Sequence, residues 1–364
     1  MKKLEDEVEL EEEAVGEVGH DMKVPAPPPS QRTARCLRCC SATLLLSVLL
    51  AVSVWAAGGG PAVLYFCATI YVDLNMWRQS LVTPPVAAAD PLTAFVWHDE
   101  SANGTVNLRP HLTAHATYRQ HEPFPHTAID GMVPLDLLEK VIEELPEHLG
   151  ADGCAEGSTA CYVDPLQFRK TEIARDDHMG PYTRRVFAAL RSRPFIAFLE
   201  ELTGIHGLHP DPGYEGSGVH LTGTGGHLNI HADFNHLSMS PTWHRRVNTF
   251  IYLNKNWPDH YGGHLELWNR NLTACVQRIR PDFGRFVAFS TTDFSYHGHP
   301  QPMQIPETRM RRSIAMYYYT RGDRSEADCL KGSCTSMHST IFKTPQGCAV
   351  CEQPACARFR DDAA

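Results

Sequence analysis

The apolar positions of the chain follow a helical period first and a strand-like pattern later. Residues 134–146 hold apolar side chains at helical spacing, and prolines stand at both ends of the run. The predicted buried face of this helix is Leu135, Leu138, Val141, Ile142 and Leu145. A second helical region covers residues 182–202, where Pro194 predicts a division and Gly204 a C-terminal cap.

From about residue 217 the pattern changes to short segments rich in β-branched and aromatic residues. Gly, Pro, Asn and Asp separate these segments, as in strands joined by turns. Many short strands after a helical region predict a mainly β protein with flanking helices (α+β), whose strands form a sandwich or barrel.

Residues 41–72 contain no charged residue, and about 20 apolar residues are enough to cross a bilayer as a helix. The forty preceding residues and the length of the run disfavour a cleaved signal peptide. We therefore expect a retained N-terminal transmembrane anchor, with Gly58, Gly59, Gly60 and Pro61 either ending or kinking it. The alternative is a buried apolar helix of a soluble protein.

Basic residues lie mainly on the N-terminal side of this segment, which favours a cytoplasmic N-terminus. Lys23, Arg32, Arg35 and Arg38 precede the segment, whereas Arg78 alone follows it closely. We expect a single-pass type II membrane protein whose large C-terminal part is lumenal, in the endoplasmic reticulum or the Golgi. Glycosylation sequons at Asn103 and Asn271 agree with a lumenal location.

Composition places the chain among globular proteins, with 21% charged and 43% hydrophobic residues in a total of 364. The net charge of -9 is uneven, since residues 1–23 hold nine acids and three lysines, which gives 3 - 9 = -6. The sequence has no stripe of clustered Lys and Arg residues that would indicate binding to nucleic acid. The predicted divisions are a disordered acidic tail with a basic juxtamembrane end (1–40), the anchor (41–72), a linker (73–120), a compact domain (121–322) and a Cys-rich tail (323–364).

Eight of the twelve cysteines lie on the predicted lumenal side, and an even number in an oxidising compartment favours disulfides. Cys154 and Cys161 are placed to close a short loop. Cys348 and Cys351 form a C-x-x-C pair that fits either a disulfide framework or half of a zinc site.

The candidate chemistry is carried by His231 and Asp233, which point to one face of a strand because side chains alternate. Together with His297 they can hold Fe(II) and leave positions open for a co-substrate and oxygen. A plain histidine–carboxylate hydrogen bond is the alternative for the first pair. Arg311 can bind a carboxylate such as that of 2-oxoglutarate through two hydrogen bonds, with Tyr252 as a further donor.

Neighbouring residues compete for two of these roles. His299 competes with His297, and Arg309 and Arg312 compete with Arg311. Four further histidines are expected to be ordinary polar or cleft-lining residues and not a second metal cluster: His220, His227, His236 and His264.

From about residue 121 to 320 the chain resembles the prolyl-4-hydroxylase-like branch of the iron(II)/2-oxoglutarate-dependent dioxygenases. The matching segments, in the family's order, are GGHLNIHADFN, RRVNTFIYLNKNW, YGGHLELW, PDFGRFVAFSTTDFSYHGHP and RRSIAMYYYT. The resemblance implies a double-stranded β-helix, or jelly roll. It also implies His231, Asp233 and His297 as iron ligands and catalytic residues, with Arg311 and Tyr252 on the distal carboxylate of 2-oxoglutarate.

Two features depart from familiar members of this family. Leu221 stands where some prolyl hydroxylases have a tyrosine, and the chain shows no peptide-substrate domain like that of the collagen enzymes.

The expected function is a membrane-anchored dioxygenase that uses Fe(II), 2-oxoglutarate, O2 and ascorbate to hydroxylate a C–H bond. The expected partners are the membrane and a protein or peptide substrate, with prolyl or other residues of secretory proteins as targets; a small-molecule substrate is the alternative. A zinc-dependent hydrolase on the same three residues and a non-catalytic jelly-roll binding module are the alternative functions.

Overall fold

The computed structural model describes residues 73, 92, 95–97, 105–150, 152–238, 240–322, 324–330, 334 and 336–344. The predicted acidic tail and anchor (1–72) and the Cys348–Cys351 pair lie outside these residues. Within the described part of the chain, no helix is both long enough and apolar enough to cross a membrane.

Short strands dominate the described part of the chain. They are β1 (Phe95–Val96), β2 (Thr105–Val106), β3 (His126–Ile129), β4 (Ala160–Val163), β5 (Gln167–Ile173), β6 (His209–Pro210), β7 (Gly218–Ala232), β8 (His236–Leu237), β9 (Ser240–Tyr252), β10 (Leu265–Trp268), β11 (Cys275–Ile279), β12 (Phe286–Ser290), β13 (His297–His299), β14 (Arg311–Arg321) and β15 (Ile341–Phe342). The α-helices are α1 (His115–Tyr118), α2 (Leu135–Glu143), α3 (Pro181–Leu190) and α4 (Arg193–Thr203). The 3-10 helices are Arg109–Ala114, Asp176–His178, Asp259–Tyr261 and Glu326–Asp328.

All pairings in the main sheet are antiparallel, and its strand order is β11-β10-β13-β7-β14-β9-β12-β3. The long strand β7 lies between β13 and β14 in this order. On one edge its first half pairs with β14 and its second half with β13, while β5 pairs with its other edge from Val219 to Leu228. The sheet therefore curls into a nearly closed barrel consistent with a jelly roll, and the prediction of a mainly β protein with flanking helices is confirmed.

The helices cover the barrel with apolar faces that join its main hydrophobic core. Pro194 stands in the first turn of α4 and separates it from α3, while Gly204 caps α4 with a positive φ of 67°, as the sequence predicts. The predicted face of α2 is wrong at one position. Leu135 is 50% exposed, and Leu137 is buried in its place, since α2 turns Leu137, Leu138 and Val141 toward the core.

Residues of the predicted linker contribute to the same core. Phe95, Trp97, Leu108 and Tyr118 are buried, and the Trp97 ring lies 5.8 Å from that of Phe195 on α4.

The predicted Cys154–Cys161 disulfide is confirmed, and a second disulfide joins Cys329 to Cys334. The predicted domain limits themselves stay a prediction.

Candidate functional site

The second half of β7 and the adjacent strand β13 bring the three predicted ligands together. His297 pairs directly with His231 across the ladder, and Asp233 follows the end of β7. One ligand atom from each of the three residues lies within 4.8 Å of the other two. Both Nε2 atoms are 3.6 Å from an oxygen of the Asp233 carboxylate. This is the only such group of His, Cys, Asp or Glu found in the described segments.

Hydrogen bonds to the backbone fix both imidazoles in the orientation that a metal ion requires. His231 Nδ1 donates to the Asn229 carbonyl at 2.8 Å, and His297 Nδ1 donates to the Ser295 carbonyl at 2.9 Å. These bonds place the ring protons on Nδ1, so each Nε2 lone pair is left for a ligand. Burial lowers the pKa of His297 to about 4, which keeps this ring neutral at physiological pH.

Two polar residues behind Asp233 orient its carboxylate. Asn248 Nδ2 donates to Asp233 Oδ2 at 2.7 Å, and Arg245 Nη2 lies 3.2 Å from the same oxygen. Burial raises the pKa of the Asp233 carboxyl, but Arg245 and the two imidazoles outweigh burial, so the pKa lies well below its usual range. A carboxylate that stays ionised beside two imidazole nitrogens fits a divalent ion with mixed oxygen and nitrogen ligands.

Arg311 lies in the same cavity and has the chemistry of an anion site. Its guanidinium is buried, Nε donates to the Gly263 carbonyl at 2.7 Å and Nη2 donates to the Tyr252 hydroxyl at 3.4 Å. No carboxylate of the described residues forms an ion pair with it, although a buried guanidinium is costly to leave without an anion. A Cβ at Gly263 would lie 2.5 Å from Met303 Sδ and 3.0 Å from Arg311 Cδ, so this glycine makes room for both side chains.

The cavity has a volume of about 290 Å³, and two rows of polar side chains cross its wall from strand to strand. Lys170, Thr222 and Arg311 form one row across β5, β7 and β14. The second row is Glu172, His220, Ser313 and Tyr252 across β5, β7, β14 and β9. The buried Ser313 hydroxyl, two residues after Arg311, has no hydrogen-bond partner among the described residues. A carboxylate held at Arg311 and Tyr252 therefore fits the donors that face this space.

Several cavity residues were not identified from the sequence. Lys170 and Glu172 form a buried ion pair, and the Tyr162 hydroxyl donates to Glu172 at 3.4 Å. Their segment, QFRKTEI, alternates too weakly to predict a strand with two charges on its inner face. Asn248 lies on a predicted strand and Arg245 just before it, but only the contacts made by β9 show that both face Asp233.

The competing residues have other surroundings. His299 lines the cavity but is not part of the three-residue group. Arg312 donates to the Pro146 and Glu147 carbonyls, and Arg309 is partly exposed and donates to the Lys255 carbonyl. Leu221 is buried in the main hydrophobic core, whereas its neighbours His220 and Thr222 line the cavity. The histidines 220, 227, 236 and 264 form no metal-binding group among the described residues.

Comparison with known proteins gives a family for this part of the chain. Residues 217–319 match the 2OG-Fe(II) oxygenase superfamily, and no curated protein matches the chain. A prolyl hydroxylase from Trichoplax adhaerens, solved with a peptide fragment of hypoxia inducible factor, is 16% identical, with 58% of this chain and 91% of that chain covered at a TM-score of 0.39. A prolyl-4-hydroxylase from Pseudomonas putida is 16% identical, with 58% and 99% covered at a TM-score of 0.35.

HygX from Streptomyces hygroscopicus, solved with nickel, 2-oxoglutarate and hygromycin B, is 12% identical, with 60% of this chain and 92% of that chain covered at a TM-score of 0.36. At such values the solved structures carry no conclusion about the substrate of this chain. The superfamily match spans the His231, Asp233 and His297 cluster together with Arg311. Residues 217–319 therefore match the 2OG-Fe(II) oxygenase superfamily, and this match supports the predicted oxidoreductase class, a 2-oxoglutarate-dependent dioxygenase.

Proposed function

We propose that the protein is a membrane-anchored dioxygenase that hydroxylates a C–H bond on prolyl or other residues of secretory-pathway proteins. One observation carries this proposal: the His231, Asp233 and His297 cluster shares a cavity with a buried Arg311 that has no carboxylate partner among the described residues. A metal site and an anion site in one small cavity are what an iron enzyme with a dicarboxylate co-substrate requires.

Each residue has a task in this reaction. His231, Asp233 and His297 would hold Fe(II), and Arg311 with Tyr252 would bind the distal carboxylate of 2-oxoglutarate. Bound iron, 2-oxoglutarate and O2 together supply the conversion of C–H to C–OH, with succinate and CO2 as the other products. Arg245 and Asn248 hold the Asp233 carboxylate in place, and ascorbate keeps the iron reduced. The cavity is otherwise lined partly by apolar side chains such as Phe250 and Leu265, which exclude water from the reacting groups.

The cavity size favours a protein or peptide substrate. Binding sites for small molecules commonly measure about 300–1,000 Å³, and this cavity of about 290 Å³ must hold the co-substrate as well. The space that is left suits one side chain, while the rest of the substrate stays outside. A prolyl or similarly narrow side chain meets this condition.

The lumenal location is supported by chemistry away from the site. The Cys154–Cys161 and Cys329–Cys334 disulfides require an oxidising compartment. The Asn271 sequon lies in an exposed turn between β10 and β11, where an oligosaccharide can be attached. When the protein is expressed through the secretory pathway, attached oligosaccharide should therefore increase its mass, and treatment with a glycosidase should remove the increase. The increase should be smaller in Asn271→Gln. An unmodified Asn271 together with free thiols at these four cysteines would contradict the location.

The activity test uses the full-length protein with Fe(II), ascorbate and 2-oxoglutarate, and measures succinate with and without prolyl peptides. Peptide-dependent succinate that is lost in Asp233→Ala supports the proposal. Asp136→Ala, which changes an exposed aspartate on α2, is the matched control and should keep full turnover. Activity with Zn(II) in the absence of 2-oxoglutarate would instead support a hydrolase.

A further inference from the structure

A segment that the sequence assigned to the Cys-rich tail returns to the active site. Residues 336–343, here called the strap, contain β15, which pairs antiparallel with the end of β7. Phe342 pairs with His231, and Ile341 pairs with Ala232. Because paired residues on adjacent strands point to the same side, Phe342 faces the cavity and Ile341 faces away from it. The Phe342 ring lies 5.5 Å from the His231 ring, and Thr340 lines the cavity beside it.

The strap completes an edge of the sheet that β5 leaves open. β5 pairs with β7 from Val219 to Leu228, and β15 takes over the same edge beyond that point. His231 consequently lies between His297 on β13 and Phe342 on β15. Without the strap, the His231 side of the metal-binding cluster would face solvent.

Anchors for the strap come from residues next to the metal-binding cluster in the sequence. Asn235, two residues after Asp233, donates to the Ser336 carbonyl and accepts from the His338 backbone N–H, both at 2.9 Å. Asp293, four residues before His297, lies 3.1 Å from His338 Nε2. The Lys343 N–H donates to the Ile230 carbonyl at 2.8 Å. The strap is thus fixed at both ends and in the middle.

We propose that the strap is the outer wall of the reaction cavity and that Phe342 is its specificity-determining residue, which limits the entering group to one narrow side chain. The second part rests on the proposed function. An aromatic ring 5.5 Å from a ligand imidazole occupies space that a bulky substrate side chain would need. The half-buried Thr340 continues the same wall toward the opening.

The wall is tested first without substrate, on full-length protein loaded with Mn(II). Mn(II) relaxes the protons of water that exchanges through its open positions, so the water relaxation rate reports access to the site. Phe342→Ala should raise this rate above that of the parent, and Phe342→Leu should raise it less. Ile341 lies on the same short strand but faces away from the cavity. Ile341→Ala is therefore the control for general loss of the strap, and its water relaxation rate should match that of the parent.

Specificity is tested with peptides that share their flanks and differ only in a central Pro, Leu, Phe or Trp. Phe342→Ala should raise the kcat/KM for the Trp peptide relative to the Pro peptide by about tenfold or more, since pocket size alone discriminates by this order. Equal relaxation rates in Phe342→Ala and Ile341→Ala, or an unchanged peptide ranking, would overturn the proposal. Absence of succinate from all proteins, with the relaxation difference intact, would reject the proposed function and leave the wall standing.

Discussion

The Arg245 guanidinium lies 3.2 Å from the Asp233 carboxylate and is almost completely buried behind it. Arg245 is itself held from two sides. Its Nε donates to Asn248 Oδ1 at 2.8 Å, and its guanidinium stacks 3.4 Å from the centre of the Tyr317 ring. A buried cation thus stabilises the one anionic member of the metal-binding cluster before any metal is bound.

Arg245→Met should weaken metal binding by about 10–100-fold, the usual range when a partner of a metal ligand is removed. The substitution keeps a long apolar side chain but leaves Asp233 buried without its cation, so the carboxylate binds a proton more readily and is less well oriented. Titration with Mn(II), followed by electron paramagnetic resonance, measures the affinity. Arg246→Met is the control, because Arg246 bonds to Thr320 and does not line the cavity. Equal affinities in the two variants would show that Arg245 has no part in metal binding.

Arg311→Met should raise the dissociation constant for 2-oxoglutarate in the metal-loaded protein. Hydrogen bonds to charged groups are worth about 1.5–3 kcal/mol, which corresponds to a factor of about 10–100. Tyr252→Phe should have a smaller effect, because it removes one neutral donor and keeps the ring. Calorimetry with Mn(II)-loaded protein measures both. The matched control, Arg309→Met, changes a partly exposed arginine that bonds to a loop carbonyl and should bind 2-oxoglutarate as the parent does. A weaker affinity in Arg309→Met than in Arg311→Met would contradict the assignment of Arg311.

Lys170→Met should destabilise the fold by about 3–5 kcal/mol, because it leaves Glu172 charged and buried without its partner. Replacing both residues, Lys170→Met with Glu172→Gln, should recover part of this loss. Urea unfolding measures the free energy. The exposed pair Lys140–Glu143 is the control, and Lys140→Met should leave the free energy of unfolding nearly unchanged because solvent screens this pair. A similar loss in the Lys170→Met single variant and in the double variant would mean that the charge left on Glu172 is not the cause.

The sequence predicted the elements of the barrel better than the way they meet. The segments around His231, Tyr252, Phe286 and Arg311 are rich in β-branched and aromatic residues, and each is a strand in the structure. The side chains of His231 and Asp233 do lie together, although Asp233 follows the end of β7 and is not part of the strand. The grouping of His297 with this pair depended on the resemblance to a family, since 64 residues separate His297 from Asp233.

Residues whose role depends on register could not be found in this way. Lys170 and Glu172 face the cavity because β5 pairs with the first half of β7, and nothing in the β5 sequence specifies that neighbour. Phe342 belongs to a two-residue strand in a segment without periodicity, and this segment is held by hydrogen bonds with the Asn235 side chain and by the Lys343 N–H, which donates to the Ile230 carbonyl. The exposed Leu135 shows the opposite error, because a helical repeat gives a face only to within one residue.

The metal-free protein should lose stability as the pH falls from about 6.5 toward 4. Burial lowers the pKa of His220 to about 3, with a further contribution from Lys170, and burial lowers the pKa of His297 to about 4. The ordinary value is 6.5, so below that pH the unfolded chain binds protons that the folded protein does not, and unfolding becomes easier. The slope of the unfolding free energy against pH is proportional to the number of protons that unfolding takes up. His220→Asn should reduce this number by up to about one between pH 6 and 4. Urea unfolding at several pH values measures the slope, and His206→Asn, at an exposed position, is the control. A slope that His220→Asn leaves unchanged would show that His220 is protonated in the folded state as readily as in the unfolded chain.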